Sequence, residues 1–386
     1  MEQADVDVLI PVFNAESTVE AAVASIQAQT VRNIRIIVID DGSTDGSTAI
    51  LNRLADADPR IHLVRQPNSG IVDALNKGLA ECTAPLIARH DADDLASPDR
   101  FAQQLEYLRM FPECIAVDGF YWIIDGEGRR TGSQAFGFGS VRPDPWLLPS
   151  EEPYLAHPFL MIRRPPLIAV GGYRYVFHSE DTDLYWRLIA LGELSHVPLF
   201  IGEYRSHSAS ISSKSIVNGR IAAISSQLAA VSHRRRIMGL ADIDFPRANL
   251  ARFVGAGRFK DMLAIAGDAL HEEECHWLRI AACAKLVELA SYRAYLLDDD
   301  DVAFIAHTLD CPGDPLLTSI SALVPHHRAV VTVRLMLAGR WLAARQLSPG
   351  HGATLRAAAH RAALAARDLY RRCTGPGAPA PDGGTR

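Results

Sequence analysis

The sequence predicts an α/β fold: a mixed, mainly parallel sheet with flanking helices, followed by a C-terminal helical domain. Two observations support this. Short, nearly continuous apolar runs alternate with helical patterns through the first third of the 386-residue chain, as expected for strands covered on both faces. After about Ser215, long Ala- and Leu-rich helical patterns dominate to about Arg345. The chain is long enough for two such units.

Strands and helices alternate strictly in the first third. The predicted strands are Val6–Phe13, Ile34–Asp40, Ile61–Arg65 and Pro85–His90. The predicted helices are Ser17–Ala28, Thr44–Ala57, Ile71–Glu81 and Pro98–Met110. Ser17 is expected to cap the first helix, and Ser97 with Pro98 to open the fourth. Right-handed crossovers between such strands give a parallel sheet.

The middle of the chain is more strand-like. The pattern predicts strands in Cys114–Phe138, with a turn at its glycines, in Phe159–Arg163 and in Val197–Tyr204, and a helix over Asp181–Leu191. We place the catalytic domain at residues 1–215, a helical domain at 216–345, and a basic helical segment at 346–386 that ends in a disordered Pro- and Gly-rich tail.

Composition excludes some classes of protein. The net charge of -6 and pI of about 6.2 argue against a surface made to bind nucleic acid. Six scattered cysteines without a C-x-x-C pair are typical of reduced thiols. The sequence has neither the basic start of a signal peptide nor a run of ~20 apolar residues. We expect a cytoplasmic protein.

Polar or Gly-containing loops follow all four predicted strands of the first third. Ligands of open α/β sheets bind at this edge, where the carboxyl ends of the strands meet. The loop sequences are PVFNAE, DDGSTD, PNSG and DADD. Each alone is weak, because Asp-Gly-Ser is more often a turn than a site. Their coincidence on one edge predicts a ligand site.

Asp91 and Asp93 are the strongest local signal. Alternate carboxylates leaving a strand suit a hard divalent cation that keeps positions open for phosphate oxygens. In isolation, a solvated acidic loop is the commoner explanation of this pair.

Glu180 and Asp181, just before a helical pattern, are a second acidic pair. They either stabilise the helix start through its dipole or supply a general base.

Seven segments from Val6 to about Ser212 resemble the inverting glycosyltransferases of family 2, which have the GT-A (Rossmann-like) fold. The matching segments, in order, are PVFNAE, VIDDGSTDGS, PNSGIVDALNKGLA, DADD with SPDR, GGY, EDTDLYWRL and YRSHSASIS. The resemblance covers about half of the chain. It implies transfer of a sugar from a nucleotide-sugar donor, expected to be a UDP-sugar, to a glycan, lipid-linked or protein acceptor.

The resemblance also implies roles for individual residues. The implied donor-binding residues are Pro11, Phe13, Glu16, Asp41, Asn68, Gly70, Asn76 and Asp91. Asp93 and His207 would hold Mn²⁺ or Mg²⁺. Asp181 would be the catalytic base, with Glu180 beside it. The Q-x-x-R-W motif of processive synthases is missing near Tyr204, which favours a non-processive enzyme of glycan or cell-surface polysaccharide biosynthesis.

Two rival functions stay open. A sugar-nucleotide nucleotidyltransferase would carry a Gly-rich, basic loop after the first strand, and Pro11–Ser17 has neither feature. A non-catalytic member that binds a glycan or a partner protein would not need the four acids of the two acidic pairs.

The C-terminal segment Pro325–Arg372 is strongly basic, with nine arginines against one aspartate. Interleaved apolar residues make an anionic membrane surface a candidate partner, which would place the protein peripherally at the inner face of the membrane. A helical bundle with the arginines on its solvent-exposed face explains the pattern equally well. Nucleic acid is a weaker candidate, because aromatic stacking residues are sparse there.

Overall fold

The computed structural model describes residues 4–206 and 215–349. Its strands are β1 (Val6–Val12), β2 (Ile34–Asp40), β3 (Ile61–Arg65), β4 (Leu86–Arg89), β5 (Leu95–Ala96), β6 (Cys114–Ile124), β7 (Arg130–Ala135), β8 (Gly139–Ser140), β9 (Met161–Arg163) and β10 (Glu193–Arg205). His207 and the segment 350–386, including the predicted tail, lie outside the described residues.

All these strands form one mixed sheet. Its order is β3-β2-β1-β4-β9-β6-β10-β5, with β7 paired to β6 and β8 to β10. The long pairings are parallel, namely β1 with β2 and β4, β2 with β3, and β6 with β10. β9 runs antiparallel between β4 and β6. The predicted mixed, mainly parallel sheet is confirmed.

Helices cover both faces of the sheet. The first six are α1 (Val19–Gln27), α2 (Ser47–Ala57), α3 (Ile71–Glu81), α4 (Arg100–Met110), α5 (Arg164–Ala169) and α6 (Glu180–Leu188). Successive strand residues point to opposite faces. Val8 and Ile10 therefore pack with α1, α2 and α4, whereas Leu9 packs with α3 and α6. Because both faces of these strands are buried, their sequences are nearly continuous apolar runs.

A helical region follows the sheet. Its helices are α7 (Ile216–Ile237), α8 (Asn249–Ala256), α9 (Phe259–Gly267), α10 (Glu272–Tyr292), α11 (Asp299–Leu309), α12 (Val324–Leu337) and α13 (Trp341–Leu347). They share a core of their own, which also takes in Trp186 of α6. Within residues 4–206 and 215–349, no helix is both long and apolar enough to cross a bilayer.

Polar contacts join this helical region to the loop 141–156 before β9. Gln227 of α7 accepts from the Ser150 amide at 2.9 Å and donates to Glu152 at 2.8 Å. Lys285 of α10 pairs with the same Glu152 at 3.1 Å. The guanidinium of Arg234 stacks on Trp146, 4.4 Å from the ring centroid. The helices therefore hold the loop from one side.

Among the boundaries that differ from expectation, three have a visible local cause. α1 begins at Val19 rather than Ser17, because the Ala15 carbonyl accepts from Thr18 and Val19 in a turn before the helix. α4 begins at Arg100 with Asp99 at its cap, since Ser97 and Pro98 form the preceding turn. The predicted strand Phe159–Arg163 is shorter, because residues 157–159 form a 3₁₀ turn.

Candidate active site

The loops after β1 and β2 lie side by side at the carboxyl edge of the sheet. The Asn14 side-chain oxygen accepts from the Thr44 amide at 2.8 Å, and Glu16 accepts from the Gly46 amide at 2.8 Å. Pro11 is buried at the end of β1, whereas Phe13 is 48% exposed. Phe13 and Glu16 therefore border an open edge, and Glu16 also fixes the neighbouring loop.

Asp41 anchors the loop that follows β3. Its Oδ1 accepts from the Ser69 amide at 2.9 Å and its Oδ2 from the Gly70 amide at 2.9 Å. The Gln66 side chain donates to Oδ1 at 2.7 Å. Gly70 has φ +89°, a conformation that side chains rarely adopt. Asp41 thus shapes the Asn68–Gly70 loop, and Asn68 itself stays exposed.

Asn76 of α3 is bound to the backbone of Tyr173. Its amide nitrogen donates to the Tyr173 carbonyl at 2.8 Å, and its oxygen accepts from the Tyr173 amide at 2.9 Å. A Cβ at Gly172 would lie 2.6 Å from that oxygen, so the turn needs glycine there. In this structure Asn76 holds the Gly-Gly-Tyr turn that leads towards α6.

Three carboxylates cluster after β4. Asp91, Asp93 and Asp94 each offer a ligand oxygen, and these oxygens lie within 4.8 Å of one another. Asp94 is 1% exposed, and its Oδ2 has no hydrogen-bond partner within the described residues. Burial, followed by the charges of Asp91 and Asp93, raises the pKa of Asp94 well above its ordinary value. A buried carboxylate without a partner fits a cation ligand, so these residues suit a divalent metal ion.

Arg205, at the end of β10, fixes the acidic loop. Its amide donates to Asp94 Oδ1 at 2.7 Å, and its side chain donates to the Asp93 carbonyl at 2.7 Å. The other end of the guanidinium donates to the carbonyls of Asp125 and Gly126. His207, the other residue predicted to hold the metal ion, lies outside the described residues.

Glu180 and Asp181 open α6. Both are partly buried, and Glu180 Oε2 lacks a hydrogen-bond partner among the residues that the structure describes. Burial, then the neighbouring Asp181 charge, raises the pKa of Glu180 to about 7. Burial also raises the pKa of Asp181. A carboxylate with a raised pKa is the better proton acceptor near neutral pH.

Arg89 pairs with one acidic group and lies within electrostatic range of the other. It is buried at the end of β4, and its Nη1 lies 2.5 Å from Asp91 Oδ1. Burial opposes its charge, but the Asp91 carboxylate, together with Tyr173 and Asp94, raises the pKa of Arg89. The positive charge in turn acts to lower the pKa of Glu180 and Asp181. The acidic cluster after β4 and the Glu180–Asp181 pair therefore share the field of one buried arginine.

Asp183 has a different role from its neighbours. It is buried and makes ion pairs with Arg174 and, at 2.8 Å, with Arg187. Arg187 also donates to the carbonyls of Val170 and Gly172 at 2.7 Å. This network fixes α6 against the Gly-Gly-Tyr turn, which positions Glu180 and Asp181.

Sequence reasoning missed Arg89, Asp94 and Arg205 as site residues. Asp94 stands inside the quoted DADD segment, and Arg89 is a charged residue at the end of an apolar strand. Both signals were present in the sequence. Arg205 lies more than a hundred positions from Asp94, and its contact with Asp94 depends on the pairing of β10 with β5.

The family profile "Glycosyl transferase family 2" matches residues 7–171. A putative glycosyltransferase, EpsE of Bacillus subtilis, is 31% identical over 192 residues, covering 48% of this chain and 67% of that protein. An uncharacterized glycosyltransferase of Haemophilus influenzae is 30% identical over 221 residues, covering 54% and 67%. The chain belongs to glycosyl transferase family 2.

A further relative, the amylovoran biosynthesis glycosyltransferase AmsE of Erwinia amylovora, is 26% identical over 212 residues, covering 52% of this chain and 76% of that protein. Among solved structures, a mannosyltransferase from Pyrobaculum calidifontis aligns over 91% of this chain and 89% of its own, with 16% identity and a TM-score of 0.47. The chain is a glycosyltransferase.

Proposed function

We propose that this glycosyltransferase is metal-dependent and inverts the anomeric carbon as it transfers a sugar from a nucleotide-diphosphate donor to an acceptor hydroxyl. The observation that carries the proposal is that the Asp91–Asp94 cluster, with Arg89 paired to Asp91, lies within electrostatic range of the Glu180–Asp181 pair. A cluster suited to a cation and a pair suited to a proton acceptor would then face the same reacting centre. The donor is expected to be a UDP-sugar, and transfer to be non-processive.

The donor's nucleotide would lie along the edge formed by the first three strand-end loops. Phe13 offers an apolar ring and Glu16 a carboxylate at that edge, with Pro11 beneath them. Asp41 would act through the loop Asn68–Gly70, whose amides it holds, and Asn76 would act through the Gly-Gly-Tyr turn. Asp91 would complete the donor site next to the diphosphate.

Asp91, Asp93 and Asp94 would hold a divalent cation, Mn²⁺ or Mg²⁺, with His207 as a further candidate ligand. Such an ion neutralises charge on the leaving diphosphate when bound. Arg205 would keep the loop in place, because it holds the Asp93 carbonyl and one Asp94 oxygen. Arg89 would contribute fixed positive charge on the side of Asp91.

The chemical step would be a direct displacement. Asp181 takes the proton from the acceptor hydroxyl, whose oxygen forms a bond to the anomeric carbon. The bond from that carbon to the diphosphate oxygen breaks, and its electron pair leaves with the nucleoside diphosphate. Attack from the face opposite the leaving group inverts the centre. Holding both reactants in line supplies much of the rate.

The relatives include an enzyme named for amylovoran biosynthesis, which supports a role in cell-surface polysaccharide synthesis. The acceptor would be a growing glycan, on a lipid or a protein or free. A non-catalytic member would bind the donor or a glycan without turnover. The Glu180–Asp181 pair favours the enzyme. Two adjacent, partly buried carboxylates with raised pKa values cost stability, and such pairs are typical of catalytic sites rather than of binding modules.

One experiment tests the proposal. The protein is titrated with UDP-glucose, UDP-N-acetylglucosamine and GDP-mannose, each with and without Mn²⁺, and its melting temperature is measured. A ligand that binds only the folded state raises the melting temperature. We expect a metal-dependent rise with at least one donor, and slow release of nucleoside diphosphate from it. Metal-independent binding or the absence of release would contradict the proposal.

A further inference from the structure

A cavity of about 220 Å³ lies between β6, the β7–β8 region and the loop before β9. Among its lining residues are Asp118, Tyr121, Phe136, Glu152, Tyr154 and His196. Pockets that enclose whole small-molecule ligands usually measure about 300–1,000 Å³. This cavity therefore has room for one unit of a larger ligand.

The floor of the cavity is a buried polar pair. His196 Nδ1 lies 2.5 Å from Asp118 Oδ1, and Asp118 Oδ2 accepts from the Ala156 amide at 2.6 Å. Asp118 is 2% exposed. A Cβ at Gly137 would lie 2.4 Å from Nδ1 of His196, so the chain packs directly on the imidazole. The ring is fixed through Nδ1, which leaves Nε2 for a ligand.

One wall of the cavity is aromatic. Phe136 is half exposed, and Phe120 meets its ring edge-on at a centroid distance of 4.9 Å, with Phe200 at 5.7 Å. On the other side, the hydroxyls of Tyr121 and Tyr154 lie 3.2 Å apart. An exposed ring that is braced from behind offers a rigid apolar face, and the tyrosines add polar tips. Sugar rings, with apolar faces and hydroxyl edges, match this combination.

The cavity lies within electrostatic range of the proposed base. Tyr154 and Glu152, two of its lining residues, lie within electrostatic range of Asp181. The hydroxyl of Tyr185 on α6 is in electrostatic range of Asp181, Asp118 and Tyr154. Tyr185 is buried in the core next to this region.

We propose that this cavity binds one neutral sugar residue of the acceptor, stacked on Phe136 and hydrogen-bonded by His196 and Tyr154. The proposal rests on the proposed glycosyl transfer, because the sugar would present its hydroxyl towards Asp181. Asp118, Glu151 and Glu152 line the cavity against the single arginine Arg142. This balance disfavours acidic sugars, since a carboxylate would face like charges.

The test uses methyl glycosides as probes. Methyl glucoside, methyl galactoside, methyl N-acetylglucosaminide and methyl glucuronide are titrated into the full-length protein in the presence of UDP and Mn²⁺, followed by ligand-observed NMR. We expect at least one neutral probe to bind and the glucuronide not to. Phe136→Ala should weaken that binding about fivefold to tenfold, the loss expected for one aromatic stacking contact.

His196→Gln tests the polar floor with the same probes, and should weaken binding by a similar factor. Phe111→Ala is the matched control, because Phe111 is also a half-exposed phenylalanine but lies at the end of α4. Melting temperatures confirm that each variant is folded. Binding of UDP with Mn²⁺ is measured on the same samples, so that failure of the donor site is seen separately.

The outcomes are distinct. If UDP binds but no neutral probe does, or if the glucuronide binds best, the acceptor subsite is overturned while the proposed function stands. If a neutral probe binds equally well to Phe136→Ala and to the control, the cavity is not its site. If UDP does not bind although GDP does, only the expected UDP-sugar donor is wrong; if neither binds, the proposed function fails first.

Discussion

Arg205 holds Asp94 through its main chain, with its amide nitrogen 2.7 Å from Asp94 Oδ1. Its side chain reaches the Asp93 carbonyl at 2.7 Å. One residue therefore fixes two successive members of the acidic cluster, one by a backbone bond that mutation cannot remove and one by a guanidinium that it can.

Replacement of Arg205 separates these two contributions. Arg205→Met should keep the bond to Asp94 but lose the side-chain bonds to three carbonyls. We expect a loss of about 2–4 kcal/mol in the free energy of unfolding and weaker metal-dependent donor binding. Urea denaturation and calorimetry measure the two effects. Arg130→Met is the control, since Arg130 makes an exposed ion pair with Glu203 worth at most about 1 kcal/mol. Equal losses in both variants would contradict the proposed role.

Asp94→Asn should change stability in opposite directions with and without metal. Without metal, the substitution removes a buried charge that repels Asp91 and Asp93, so the melting temperature should rise or stay level. With Mn²⁺, the stabilisation seen in the native protein should largely disappear, because a charged ligand is missing. Asp93→Asn should likewise lower metal-dependent donor binding. An unchanged response of both variants to Mn²⁺ would place the metal elsewhere.

Asp181→Asn tests the base. The variant keeps its shape, so donor affinity should stay close to normal, whereas transfer should fall by a factor on the order of 10² to 10⁴. If Asp181 merely stabilises the start of α6, the loss is instead on the order of 1 kcal/mol of stability with turnover nearly intact. Thr182→Ala in the same turn serves as the control. A folded Asp181→Asn enzyme with normal transfer would move the assignment to Glu180, because Asp183 is committed to its ion pairs.

Glu180 should make stability depend on pH near neutrality. Its pKa rises from an ordinary 4.5 to about 7 in the folded protein. The folded state therefore keeps this proton to higher pH, and the stability contributed by the protonated group is lost as pH rises through about 7. Glu180→Gln should be more stable than the native protein at pH 8, by on the order of 1 kcal/mol, and similar at pH 4. Thermal unfolding across this range measures the difference, with exposed Glu113→Gln as the control.

Truncation after Pro349 tests the proposed membrane contact. It removes five arginines and one aspartate of the basic segment but leaves α12 and α13, whose Val331, Leu335 and Leu347 are buried in the helical core. We expect the intact protein to sediment with anionic vesicles at low salt and the truncated one to bind less, with both effects fading as salt rises. An intact protein that stays in the supernatant at low salt would exclude this partner.

Local patterns were sufficient for the strand–helix alternation of the first third. The strands Ile34–Asp40 and Ile61–Arg65 and the helix Ile71–Glu81 have the predicted bounds, because continuous apolar runs and helical periodicity are recognised within a few residues. The short strands β5 and β8 were not predicted. The family membership followed from motifs of the same short range. Contacts between distant segments could not be predicted in this way: the Arg205–Asp94 bond and the pairing of Asn76 with the Tyr173 backbone depend on strand order and helix placement.

The loop 141–156 before β9 lines the proposed acceptor cavity, and Gln227 and Lys285 of the later helices hold it from outside. The donor edge, in contrast, is built from loops of the first hundred residues. Under the proposed function, the two substrates are thus bound by different parts of the chain, and these later helices support the acceptor side. Recombination or drift in the later helices could retune which glycan is extended while the nucleotide sugar stays the same. A chimera that combines residues 1–113 of this chain, which end before β6, with the remainder of a relative is expected to keep its donor and adopt the relative's acceptor.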